Sequence, residues 1–281
     1  MREIDVDHVG RSRVICCYEV DGVLVDPGPE SSVETLLAKL DGLEPRALLL
    51  THIHFDHAGA SGALVRRYPD LPVYVHDRGA PHMVDPERLV ASARRLYGED
   101  FDRLWGEVIP VPDDNIRVLH GDERVEGFRV AYTPGHASHH VSYLHEDSGI
   151  AYVGDVAGVR IQPEEVVVAP TPPPDVDVEA WHRSLDTVAR WDPSALAPTH
   201  FGAIRSRVGD HLETLRDQLD EQARLARDRS EKDFVAGLRA EIRAAVSDDE
   251  TAATYEQAVP AGQAYQGLER YWRKRAEREA A

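Results

Sequence analysis

Lysine is nearly missing from this 281-residue chain: Lys39, Lys232 and Lys274 are the only three, and arginine supplies the rest of the basic side chains. With 50 acidic residues against 32 basic ones, the formal net charge is −18. Binding a nucleic-acid backbone needs clustered lysine and arginine, and no such stripe runs through the sequence, so no nucleic-acid partner is expected. Cysteine is scarcer still. Cys16 and Cys17 are adjacent in an apparent strand, where successive side chains point to opposite faces, which excludes a disulfide between them. No apolar run approaches the roughly eighteen residues of a membrane span. No charged segment leading into an apolar one opens the chain, so the expectation is a cytoplasmic protein with no membrane partner.

What is abundant is local. Residues 51–57 read Thr-His-Ile-His-Phe-Asp-His, directly after the apolar run Ala47-Leu48-Leu49-Leu50. His52, His54, Asp56 and His57 place four metal-ligating side chains within six residues. In an extended segment, side chains two apart point the same way, so His52, His54 and Asp56 can converge at a strand exit, with His57 joining from the first turn of the next element. A helix would not bring residues two apart together. The apolar run predicts a buried strand and the small residues from Ala58 to Val65 a helix start, which puts the ligands on a strand-to-helix loop.

This His-x-His-x-Asp-His run resembles the signature of the metallo-β-lactamase superfamily, and the rest of the chain keeps register with it. Ala131-Tyr132-Thr133-Pro134-Gly135-His136 resembles the second metal motif of that family, and Ile150-Ala151-Tyr152-Val153-Gly154-Asp155 the motif whose carboxylate bridges two metals. Ala195-Leu196-Ala197-Pro198-Thr199-His200 resembles the last one. Upstream, Val23-Leu24-Val25-Asp26-Pro27-Gly28 is similar to the early strand and turn whose aspartate braces the metal loop without binding metal. The resemblance implies one metal held by His52, His54 and His136, a second by Asp56, His57 and His200, and Asp155 between them. The implied cofactor is two divalent metal ions. Five imidazoles and two carboxylates suit zinc on ligand softness, and iron or manganese also accept such a set. Two dications, two aspartates and a bridging hydroxide leave about one positive charge, which favours an anionic group on a small-molecule substrate. The implied reaction is attack by a hydroxide bound at the dinuclear centre on an ester, thioester, lactone or phosphoester, with Asp56 orienting the water or relaying its proton.

The neighbouring histidines divide. His140, four after His136, is read as a packing and hydrogen-bonding residue, and His139 as a pocket residue or a bystander. His8, His76, His82, His120, His145, His182 and His211 are read as ordinary surface or core residues.

Periodicity places strands near 13–20, 22–26, 47–50, 73–75, 128–132, 140–145, 150–153 and 195–198, and helices near 31–40, 57–68 and 177–191. This fits the four-layer αββα sandwich that the resemblance implies, an α/β fold occupying residues 1–205. Two stretches lie outside the smallest version of it. Between 76 and 106 two short helices are expected, one starting at Asp85-Pro86. Met83, Tyr97, Phe101 and Trp105 there are read as core in preference to pocket. From 206 to 281, leucines at helical spacing predict a C-terminal helical extension, read as packing on the sandwich or joining two copies of the chain in a homo-oligomer. Pro170-Thr171-Pro172-Pro173-Pro174 is expected at the rim of the site.

Within the family, what is missing narrows the reading. β-lactamases proper lack the bridging aspartate, so Asp155 points to the branch that includes glyoxalase II. Flavodiiron proteins carry glutamate where His54 stands. Quorum-sensing lactonases carry a tyrosine soon after the second-motif histidine, and Tyr143 lies seven residues on. Persulfide dioxygenases share the fold with a single iron, held by the equivalents of His52, His136 and Asp155. They tend to follow Gly-Asp with a Gly-Arg-Thr-Asp-type segment, whereas this chain reads Val156-Ala157-Gly158-Val159-Arg160. That oxygenase is the alternative. A non-catalytic metal-binding protein is the third reading.

Overall fold

A computed structural model describes residues 1–280. Six strands form the first sheet in sequence order: β1 (Arg2–Asp5), β2 (Cys16–Val20), β3 (Val23–Val25), β4 (Ala47–Leu49), β5 (Val73–His76) and β6 (Ile116–Leu119). The first three pair antiparallel, and β3 to β6 run parallel with helical crossovers. The second sheet has the order β11-β10-β9-β8-β7, built from β7 (Arg124–Val125), β8 (Phe128–Tyr132), β9 (Val141–His145), β10 (Ile150–Tyr152) and β11 (Ala195–Ala197).

Side-chain alternation explains the layers. Cys16, Tyr18 and Val20 of β2 face Phe128, Val130, Tyr143 and Tyr152 of the second sheet, and these form the core between the sheets. Cys17 points the other way, with Leu24 and Leu48, into a cluster under the helices Val33–Leu40 and Ser61–Arg67. The two cysteines are therefore buried, free and on opposite faces, as the pleat requires. The outer face of the second sheet packs on the helix Val178–Arg190 through Trp181, Leu185 and Val188. This is the αββα arrangement.

Strands β1, β6 and β7 have no counterpart in the sequence-based expectation. β6 alternates poorly, with Arg117 and Val118 both exposed, and β7 is only two residues long. The region 76–106 holds three helices in place of the expected two: Ala80–Val84, Glu87–Tyr97 and Phe101–Trp105. Asp85 is not the N-cap of the second. Its carboxylate accepts the Glu87 amide at 3.3 Å, and Pro86 occupies the cap position.

The C-terminal extension is four helices, Val208–Asp228, Glu231–Ala245, Asp249–Ala258 and Ala261–Glu279. It is continuous with the sandwich core: Leu212, Leu215, Leu219, Phe234, Tyr255 and Leu268 share one apolar cluster with Trp181 and Leu196. Polar ties reinforce the contact. The Tyr255 hydroxyl donates to Val166 O at 2.8 Å and accepts from the Ile161 amide at 3.0 Å, and Thr171 Oγ1 donates to Ala264 O at 3.0 Å. No helix among the described residues is long and apolar enough to cross a membrane.

Candidate metal centre and pocket

The site forms where the C-terminal end of β4 in the first sheet meets those of β8, β10 and the edge strand β11 in the second. After β4 the chain runs extended to His54 (φ −62°, ψ 149°) and then turns into the one-turn helix Phe55–Ala58. The two-residue alternation thus aligns His52 with His54. Asp56 arrives from the helical turn, a correction to its placement on the extended run. His57, from the same turn, is fully buried. From the second sheet, His136 follows the turn after β8, Asp155 the turn after β10 and His200 the exit of β11. Two of these turns need glycine. Gly135 has φ +141°, and a Cβ there would lie 2.4 Å from Trp181 Cα. Gly154 has φ +48°, and a Cβ would lie 2.5 Å from Thr51 Oγ1.

Three trios of ligand atoms gather: His52, His54 and His136; Asp56, His57 and His200; and His52, His57 and Asp155. Within each trio the atoms lie within 4.8 Å of one another. His54 Nδ1 stands 2.9 Å from His52 Nε2 and 3.0 Å from His136 Nε2. Asp155 faces both groups, with Oδ2 3.2 Å from His136 Nε2 and Oδ1 3.4 Å from His57 Nε2 and 3.6 Å from His200 Nε2. Asp56 Oδ2 lies 3.3 Å from His200 Nε2.

The far side of each ring decides which nitrogen is free. His57 Nδ1 donates to Asp26 Oδ2 at 2.8 Å, His136 Nδ1 to Pro170 O at 2.8 Å, and His200 Nδ1 to Val14 O at 2.6 Å. Thr51 Oγ1 donates to Asp26 Oδ2 at 2.7 Å and so accepts from His52 Nδ1 at 3.1 Å. Each bond holds a proton on Nδ1 and turns Nε2 inward. His57 Nε2, His200 Nε2 and Asp155 Oδ1 are buried without hydrogen-bond partners. Buried polar atoms left without partners are costly, and two imidazole nitrogens beside a carboxylate oxygen are the atoms a cation would meet. The donor set therefore fits metal ions.

Electrostatics separates the two groups. Burial pushes His52 well below the ordinary histidine range, His54 to about 4, and His136 down as well, leaving neutral imidazoles. Burial also pulls on His57 and His200, but the carboxylates of Asp155 and Asp56, joined at His57 by Asp26, outweigh it and raise both. Asp56 and Asp155 are in turn held low against burial, chiefly by His57.

Asp26, expected from the sequence to brace the metal loop, is bonded to the segments on both sides of the centre. It accepts the Thr51 amide at 2.8 Å, the Thr51 hydroxyl, the His57 ring and the Thr199 hydroxyl at 2.8 Å. Thr51 and Thr199, each directly before a histidine of the centre, were not singled out in the sequence. Their position in Thr-His pairs was the available signal. His140 lies under the centre, its ring stacked 5.1 Å from that of His52 and its Nδ1 2.9 Å from Thr133 Oγ1. His139 is in the pocket wall, edge-on to His54 at 5.7 Å.

A cavity of about 710 Å³ opens from His54, Asp56 and Asp155. Its walls come from the 76–106 helices, the proline loop 170–174, the C-terminal helices through Gln257, Gln263 and Ala264, the Ser138-His139 turn and His8. The expectation of a pure core role for the 76–106 aromatics holds for Met83 and Phe101, which are buried away from the opening. It fails for Tyr97 and Trp105, which line the cavity. These two meet edge-to-face at 5.1 Å over Phe55. His8 and His82, read from sequence as ordinary residues, also line it. For His8 no sequence signal was available, because a turn in the N-terminal segment brings it across the fold.

Residues 14–200 match the sequence profile of the metallo-β-lactamase superfamily. The chain belongs to that superfamily. Among similar proteins is the metallo-β-lactamase fold-containing protein ST1585 of Sulfurisphaera tokodaii, 28% identical over 211 residues that span 72% of this chain and 77% of that one. Its crystal structure superposes with a TM-score of 0.64, covering 91% of this chain and 93% of that chain at 23% identity, and so supports the fold. TTHA1623, solved in a di-iron-bound form, is 31% identical with a TM-score of 0.55, covering 72% of this chain and 93% of that chain. A hydroxyacylglutathione hydrolase of Xylella fastidiosa is 33% identical over 133 residues, 47% of this chain and 40% of that protein. The superfamily match ends at His200, so the four C-terminal helices that wall the cavity lie beyond it.

Proposed function

We propose that the chain is a metal-dependent hydrolase that cleaves an ester, thioester, lactone or phosphoester of a small molecule at a dinuclear centre. The observation behind this reading is Asp155, buried, with one oxygen turned to each group of histidines and Oδ1 left without a protein partner. His52, His54 and His136 would hold one ion, Asp56, His57 and His200 the other. Zinc is favoured by ligand softness, with iron supported by the di-iron form of TTHA1623. Such ions supply a Lewis acid and lower the pKa of a bound water to roughly 7.

The protein's own groups then divide the work. The Nδ1 bonds of His52, His57, His136 and His200 keep their rings oriented with Nε2 toward the centre. Asp56, with its side chain 22% exposed against 5% for Asp155, is the carboxylate more open to the cavity and the one placed to orient a water or take its proton. Tyr97 and Trp105 give an apolar wall that excludes bulk water from one side.

Elemental analysis of protein purified without added metal or chelator tests the reading. About two metal ions per chain, with hydrolysis in a screen of esters, thioesters, lactones and phosphodiesters, is the expected result. About one iron per chain would overturn the dinuclear centre in favour of a persulfide dioxygenase, a mononuclear use of the fold that gives Asp56, His57 and His200 no joint task. Bound metal with no turnover of any labile ester would favour the non-catalytic reading.

The wall makes its own prediction. Tyr97→Ala should raise KM roughly three- to tenfold with kcat little changed, because one aromatic edge contact is worth about 1 kcal/mol. Loss of cooperative unfolding in that variant would instead make Tyr97 part of the core.

A further inference from the structure

His8 is the one histidine lining the cavity that is buried and yet takes no part in the cluster of ligand atoms. Only 2% of its surface is exposed, neither ring nitrogen has a hydrogen-bond partner among the described residues, and Nδ1 is sealed from solvent. Its ring stacks on Trp105 with centroids 5.4 Å apart and planes within 12°. It lines the same cavity as Asp56 and Asp155. Burial holds it at about 4, which makes it a neutral imidazole at ordinary pH, able to donate from one nitrogen and accept at the other.

The backbone is arranged around this one side chain. Both neighbours are left-handed, Asp7 at φ 47° and Val9 at φ 52°. The conformation is unfavourable for any L-residue and most of all for a β-branched one such as Val9. The turn is pinned on several sides. Asp5 accepts the amides of Asp7 at 3.0 Å and Arg13 at 2.7 Å, and Lys39 bonds Asp5 O at 2.7 Å. Gln257, from the C-terminal helices, donates to His8 O at 3.0 Å and is itself held by Arg11 Nε at 2.9 Å. Strain maintained by so many bonds around an unsatisfied polar ring is characteristic of a functional group.

We propose that His8 contacts substrate, using the N–H of Nε2, the ring nitrogen that is not sealed, to hydrogen-bond the leaving-group oxygen of an ester while Trp105 fixes the plane of the ring. This rests on the hydrolase reading and names a group outside its metal ligands. In the step concerned, water adds its oxygen to the acyl carbon and the bond from that carbon to the leaving oxygen breaks. The electron pair passes to the leaving oxygen, and the proton that neutralises it originates in the attacking water. His8 keeps its own proton and stabilises the charge that develops.

The test compares metal-loaded wild type with His8→Phe, which keeps a ring on Trp105 and removes both nitrogens, and with His8→Asn, which restores a donor. Two esters of one acyl group serve as probes, phenyl acetate with a poor leaving group and 4-nitrophenyl acetate with a good one. His8→Phe should lose at least about tenfold in kcat/KM on phenyl acetate and less than about threefold on 4-nitrophenyl acetate. His8→Asn should recover part of the loss, and metal content should not change. Equal losses on both esters, no loss on either, or a fall in metal per chain would overturn the assignment. Binding of phenyl methylphosphonate, an inert mimic of the reacting centre, gives a readout independent of turnover and should weaken at least about fivefold in His8→Phe. Unchanged binding overturns the role of His8 alone. A metal-loaded wild type that neither cleaves the esters nor binds the phosphonate overturns hydrolysis of such esters, and the His8 role with it.

Discussion

Replacing Asp26 by asparagine should destabilise the metal-free protein by about 3–5 kcal/mol, the usual result of removing one member of a buried charged network. It should also deplete the centre of metal. Asp26 is fully buried and accepts four hydrogen bonds, from the amide and hydroxyl of Thr51, the hydroxyl of Thr199 and the ring of His57. Asparagine is the informative replacement because Asp26 sits at φ 50°, a conformation asparagine tolerates and alanine does not. The amide keeps one acceptor oxygen but turns an NH2 toward groups that are themselves donors: in place of Oδ2 it breaks the bonds from His57 and both hydroxyls, in place of Oδ1 the bond from the Thr51 amide. In either orientation His57 loses the carboxylate charge beside Nδ1, and in the first it loses its acceptor as well. Urea unfolding of chelator-treated protein measures the first effect and elemental analysis the second. A stability change below about 1 kcal/mol would show that Asp26 is not the brace, since a single hydrogen bond to a charged group is already worth about 1.5–3 kcal/mol.

Asp155→Ala should behave in the opposite way. Two opposing terms meet in the metal-free protein, the loss of Asp155's attraction for His57, His136 and His200 and the relief of an unpaired buried acceptor, so the net change should stay within about 2 kcal/mol. Metal retention should fall to one ion per chain or fewer. Losing a residue that only orients a ligand costs about 10–100-fold in metal affinity, and losing one shared by both groups should exceed that. Hydrolysis should drop by at least about a thousandfold, comparable to the upper range for removing one electrostatic contact to a transition state. Unchanged metal content in this variant would remove Asp155 from between the two groups. Together the two aspartates separate what stabilises the fold from what the fold holds ready.

The legible part of the structure was set by local chemistry. The strands that carry site residues are short apolar runs ending in Gly-Asp, Thr-His or Pro-Gly-His, and the seven residues expected at the centre converge. What escaped was non-local. β1 and β7 are short and polar and gain strand character only by pairing with β2 and β8. Asp56 was assigned to the extended run because alternation was carried two residues too far, past the point where Phe55 starts a helix. Tyr97 and Trp105 have the spacing of core residues and half satisfy it: they pack on Phe55 and Phe101 but keep one side to the cavity. His8 lies far from every motif in sequence and meets the centre only through the folded chain.

The ligand set is divided across the two halves of the sandwich. His52, His54, Asp56 and His57 follow the first sheet, while His136, Asp155 and His200 follow the second. Any ion bound there acts as a clasp on the seam between them, and its binding free energy becomes folding free energy. At a free concentration a hundred times its dissociation constant, one ion adds about 2.7 kcal/mol. Metal starvation would then loosen the protein at that seam first. Proteolytic lifetime would follow metal supply, so that scarcity removes the metal-free protein as well as emptying it.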